Sequence, residues 1–222
     1  MTYTAPTTEQ LFVLNHIARV DAMAQHERFA DATPDMVEAI VTGIGEFAGE
    51  VYAPLNRVGD TTNPKWDNGK VTMPPGFKDA YQQFVEAGWG SLDGPGEYGG
   101  QGLPFTLATV VIEALGSANM GFTLCPILTQ GAIHALMAYG TDEQRQSWLP
   151  KLVSGAWNGT MNLTEPAAGS DVGALRSTAE KVTEGPNAGL YRIKGQKIFI
   201  TFGEHDLTDN IVHLVLARTA GA

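Results

Sequence analysis

The hydrophobic rhythm of the chain changes once, near residue 156, and that change limits the folds open to it. Before that point apolar residues recur every three or four positions, the spacing that builds one stripe on a helix. After it they come in short runs between turns, the pattern of strands. The sequence therefore predicts an α+β protein: an all-α domain over residues 1–156, with an extension at 1–30, then a β domain over 157–222.

The helical half is punctuated clearly. Leu11, Leu14, Ile17, Ala18 and Val20 repeat at helical spacing. Thr33 is a good N-cap and Pro34 suits the first helical position. From there Val37, Ile40, Val41, Ile44, Phe47, Ala48 and Val51 form one apolar stripe, with Glu38, Glu46 and Glu50 off it. Pro54 is predicted to end or bend that helix, and 57–76 to be a long loop. Phe77, Ala80, Tyr81, Phe84 and Val85 mark the next helix, and further helices are expected near 105–116 and 120–139. Thr141 and Gln144 have capping-box spacing for a helix ending near Pro150. The Gly-rich stretch 97–102 has neither a preceding strand nor a following Lys-Ser/Thr, so it reads as a hinge rather than a phosphate loop.

Strands are expected at 160–164, 174–182, 190–193, 196–201 and 211–218, with turns at Gly185-Pro186, Lys194-Gly195 and Gly203.

Charge and composition narrow the partners. A formal net charge of −10 argues against nucleic-acid binding, which needs basic patches. The single cysteine, Cys125, allows neither an internal disulfide nor a cysteine-based zinc site and fits a reducing, cytoplasmic setting. His16, His26 and His134 have no partner at metal-ligand spacing. The N-terminus lacks a basic region followed by an apolar run, so no signal peptide is expected. The uncharged stretch 114–141 is long enough to span a bilayer, but Asn119, Pro126, Gln130 and His134 interrupt it, so it reads as a helix buried in protein.

The segment Met161-Asn162-Leu163-Thr164-Glu165-Pro166-Ala167-Ala168-Gly169-Ser170-Asp171 carries the chemistry. It is a strand running into a turn of small residues, where a flat ligand can approach the main chain and free amides can donate to an anion. Thr164 and Ser170 add hydroxyls. A plain Pro/Gly turn, with Asp171 in a capping role, accounts for the same residues.

The order of the pieces adds a resemblance. Tyr98-Gly99-Gly100-x-Gly102, Gly140-Thr141-x-Glu143-Gln144, Leu149-Pro150, Thr164-Glu165-Pro166-x-x-Gly169-Ser170-Asp171 and Gly195-Gln196-Lys197-x-x-Ile200-Thr201 follow one another as in the acyl-CoA dehydrogenase family, which the chain resembles. A finer likeness is to the branch of 3-methylmercaptopropionyl-CoA dehydrogenase-like enzymes, carried by Asn119-Met120, 128–133, Gly173-Ala174-Leu175-Arg176, 203–208 and 210–213.

The resemblance implies FAD as cofactor and α,β-dehydrogenation of an acyl-CoA thioester, either fatty acyl or methylthio-acyl. Met161, Leu163 and Thr164 would face the flavin ring, and Phe199, Ile200 and Thr201 would cover its other part. Met161 and Phe199 stand where many members carry an aromatic residue and Trp; both are apolar enough to pack on a ring. Ser170 would contact the pyrophosphate and lie near the bound acyl-CoA. Glu165 would be structural, and the base would come from a C-terminal helical domain beyond residue 222. The resemblance further implies a mainly antiparallel β domain, unfinished at Ala222. The chain alone is therefore expected to be an inactive, truncated part. An electron-transfer flavoprotein or similar acceptor and a homodimer or homotetramer are implied for the full-length protein. An acyl-CoA oxidase-like flavoenzyme and a non-catalytic fragment remain the alternatives.

Overall fold

A computed structural model describes residues 3–219. Its helices are α1 (Thr7–Phe12), α2 (Val20–Met23), α3 (Pro34–Phe47), α4 (Ala53–Thr62), α5 (Phe77–Glu86), α6 (Phe105–Tyr139) and α7 (Asp142–Val153). Its strands are β1 (Lys65–Asp67), β2 (Lys70–Thr72), β3 (Trp157–Asn162), β4 (Thr178–Lys181), β5 (Tyr191–Lys194), β6 (Asn210–Val215) and β7 (Arg218–Thr219).

The caps read from the sequence are in place. The Thr33 hydroxyl accepts from the Met36 amide, and Thr141 and Gln144 close a reciprocal box at the start of α7. Pro54 does not end its helix. A π-type turn over Ala48–Tyr52 links α3 to α4, and the wider turn lets the helix pass the residue that lacks an amide proton. The expected 57–76 loop is shorter than its glycines and prolines suggest. Helix α4 runs to Thr62, and β1 and β2 form a hairpin around Asn68-Gly69, both at positive φ as a two-residue hairpin turn requires. Helix α7 likewise continues past Pro150 to Val153, held by the buried Leu149, Leu152 and Val153.

Helix α6 keeps the predicted interruption as a kink at Asn119 (φ −159°, ψ 83°). Asn119 caps the second half: its Oδ1 accepts from the Phe122 amide at 3.1 Å, and its Nδ2 reaches the Tyr52 carbonyl at 3.3 Å. The helix is long and apolar enough to cross a membrane by composition, but Leu107, Val111, Leu115 and Phe122 are buried in the helical core. Phe122 stacks on Tyr52 with ring centres 4.7 Å apart and meets Phe77 at 4.6 Å.

The pairing in the β region is mixed where the sequence reading had it mainly antiparallel. β3 runs parallel to β6, β4 is antiparallel to β5, and β4 is parallel to β7. Parallel neighbours need long connections, and residues 163–209 supply the one between β3 and β6. The expected strand at 196–201 is absent: Phe199 sits at φ 59° and Phe202 at φ 51°, left-handed positions that break an extended run.

Candidate flavin-facing site

β3 carries the site into place. It packs against α6, where Asn158, Gly159 and Thr160 are buried, and then delivers Met161 to the surface, 56% exposed. Beyond the strand, the Glu165 and Ala168 backbones exchange hydrogen bonds of 2.8 and 3.1 Å around Pro166-Ala167. Those two amides are therefore spent inside the turn. The amides of Ala167, Gly169 and Ser170 have no partner among the described residues and are the ones left to hold an anion.

A buried ion pair joins the two parts of the motif. Lys197 Nζ donates to Glu165 Oε1 and to the Leu163 carbonyl, each at 2.9 Å. The Ile198 amide donates to the Thr164 carbonyl at 3.0 Å. Glu165 also accepts from the amides of Arg176 at 2.6 Å and Ser177 at 3.1 Å. The Ser177 hydroxyl, the Arg176 amide and the Lys197 ammonium hold its carboxyl at about 2, far below the ordinary range. Such a group is ionised at neutral pH, an anchor and a poor proton acceptor.

The clasp brings Leu163 and Thr164 beside 197–198, so that the half-buried Ile200 and Thr201 follow within a few residues. Phe199 is 84% exposed, and its left-handed backbone marks it as a strained position of the kind found at ligand sites. Ser170 is exposed and stands outside the clasp. The two segments that the clasp ties together carry the exposed apolar side chains Met161 and Phe199, the hydroxyls of Thr164 and Thr201, and the amides of Ala167, Gly169 and Ser170. A flat ring with polar edges and an attached phosphate, such as FAD, fits that set of groups.

In the sequence Lys197 is one position of the Gly195-Gln196-Lys197 motif, and its role as the partner of Glu165 is not legible there. The one signal for it is a lysine beside a short apolar run, Ile198-Phe199-Ile200, with an acidic residue, Glu165, in the other motif.

The pattern of the acyl-CoA dehydrogenase N-terminal domain matches residues 34–156. The chain belongs to the acyl-CoA dehydrogenase family. 3-Methylmercaptopropionyl-CoA dehydrogenase of Ruegeria pomeroyi is 47% identical over 222 residues, which are 100% of this chain and 37% of the relative. The broad-specificity linear acyl-CoA dehydrogenase FadE5 of Mycobacterium tuberculosis is 33% identical over 225 residues, 99% of this chain and 36% of that protein. The chain thus spans little more than a third of these relatives' length. Among solved structures, a glutaryl-CoA dehydrogenase from Mycobacterium smegmatis in complex with FADH2 superposes with a TM-score of 0.66 at 23% identity. That likeness covers 83% of this chain and 43% of the other and establishes the fold.

Proposed function

We propose that this chain forms the helical domain, residues 1–156, and one flavin-facing wall, within 157–222, of an FAD-dependent acyl-CoA dehydrogenase. The observation that carries the reading is the Lys197–Glu165 clasp, which joins 163–164 to 197–201 beside the exposed Phe199. When bound, FAD supplies the acceptor for a hydride from the β carbon of an acyl-CoA thioester. Met161 and Phe199 pack on the ring; Leu163 and Ile200 exclude water around it. The Thr164 and Thr201 hydroxyls would serve as hydrogen-bond donors to the bound flavin. Ser170 and the neighbouring amides hold the pyrophosphate and border the acyl-CoA. Glu165 fixes the wall, and no residue of this chain is assigned as the base.

The R. pomeroyi relative supports a methylthio-acyl thioester as substrate, and the linear acyl-CoA dehydrogenase of M. tuberculosis supports a fatty acyl one. We place the protein in the cytoplasm, as a homodimer or homotetramer passing electrons to an electron-transfer flavoprotein or similar acceptor.

Titration of the chain with FAD, followed by flavin absorbance and fluorescence, tests the reading. Stoichiometric binding is expected, weakened about tenfold in Phe199→Ala, whose exposed side chain is dispensable for folding. Unchanged affinity in that variant would remove Phe199 from the site. The chain with FAD and an artificial acceptor should not turn over acyl-CoA; turnover would place a base within residues 1–222. Oxygen consumption by the full-length protein with acyl-CoA would move the assignment to an oxidase.

A further inference from the structure

Between α5, the second half of α6 and the end of α7 lies a cavity of about 230 Å3 on which the flavin reading makes no demand. Phe84, Val85, Pro126 and Val153 give it apolar walls, and the exposed Gly90 and Ser154 stand at its mouth. Among the described residues, no Asp, Glu, Lys, Arg or His lines it. Tyr81 is its one phenol, and burial pushes that group further up from its ordinary range, so the cavity is neutral.

Asn158, 1% exposed, also lines the cavity. Its Nδ2 donates to the Tyr81 hydroxyl oxygen at 2.8 Å and to Thr129 Oγ1 at 3.0 Å. Tyr81 donates its own proton to the Gly155 carbonyl at 3.0 Å, and Thr129 donates to the Cys125 carbonyl at 3.2 Å. Both hydroxyls therefore turn lone pairs toward Asn158, and only the amide nitrogen can face them. That geometry fixes the other end: Asn158 Oδ1 is buried with no partner among the described residues. A carbonyl in that position is costly unless something donates to it.

We propose that this cavity binds a small neutral molecule with one hydrogen-bond donor and a short hydrocarbon body, an alcohol or primary amide, which donates to Asn158 Oδ1. A void of ~150 Å3 accommodates benzene, so a body of about six carbons is within range. An ionised ligand is excluded because no counter-charge lines the walls.

The full 222-residue chain should be titrated with hexan-1-ol and with its isomer 1-methoxypentane, following backbone amide shifts of Val85, Val153 and Gly155 by NMR. The two probes share size and composition, but only the alcohol can donate. Saturable shifts are expected, with hexan-1-ol at least about tenfold tighter than the ether. Val85→Phe, which fills the cavity without touching Asn158, should abolish the shifts from both probes. Equal affinity for the two probes would overturn the proposal by leaving only an apolar void. So would an absence of saturation, or a crystal grown in hexan-1-ol with water alone on Asn158 Oδ1. FAD binding is read separately and does not depend on this result.

Discussion

The helical domain and the β region are held together by different forces. Tyr52, Leu107, Phe122 and Leu149 are fully buried, and α3, α5 and α6 converge on one apolar core. In the β region all four residues of β5 are exposed, and β4 is mostly so. Its order comes from polar ties: Glu165 with Lys197, Thr160 with His213 at 2.6 Å, and Arg218 with the carbonyls of Leu175 and Gly173. The 202–207 loop joins the two halves. Leu207 enters the helical core, Phe202 packs against it, and Asp206 accepts from the Met73 amide at 2.9 Å. Apolar burial thus sets the stability of the first half, whereas the second half depends on groups that titrate.

The sharpest way to break that contrast is Phe122→Ala. Removing the ring shared by Tyr52 and Phe77 should cost about 3–5 kcal/mol in guanidinium denaturation, independent of pH. A loss near that of a surface substitution would mean that the core does not dominate.

The next effect is the pH dependence expected of the β region. Burial lowers His205 to about 4 from an ordinary 6.5, so the unfolded chain takes up its proton well before the folded chain does. Stability should fall as pH drops through that window. Glu165, lowered to about 2 from an ordinary 4.5, continues the fall in the same direction at lower pH. His205→Asn keeps an acceptor for the Leu207 amide and should flatten only the first leg, read from urea midpoints between pH 7 and 4. An unchanged slope would show that His205 is not the group responsible.

Smaller effects test the punctuation of the helical half. Asn119→Ala removes the internal cap of α6 and should cost about 1–2 kcal/mol by the same denaturation. Gly69→Ala keeps the hairpin but strains its turn at φ 84°, for about 1 kcal/mol, because nothing stands within 4 Å of the added carbon.

What was legible followed the same division. Thr33-Pro34, the Thr141–Gln144 box and the stripe Val37 to Ala48 are local signals, and each lies where the spacing put it. The Asn68-Gly69 turn is equally local, but the residues around it are mostly polar, with no apolar alternation to mark strands. Pro54 and Pro150 misled because a π-type turn and the burial of Leu152 and Val153 override a proline's local preference. The candidate flavin residues were named from motif order; their environment, from the strained Phe199 to the spent amides of Glu165 and Ala168, was not readable there.

By itself the sequence determined the α+β class, the change of structure near residue 156 and the family, because caps, periodicity and each short motif are written within a few residues of chain, and the order of the motifs is read directly along it. Only the tertiary structure decided the parallel pairing of β3 with β6, the Glu165–Lys197 clasp and the unpartnered carbonyl of Asn158. Those depend on groups that lie from about 30 to nearly 80 positions apart, and no local pattern records which distant donor reaches which acceptor.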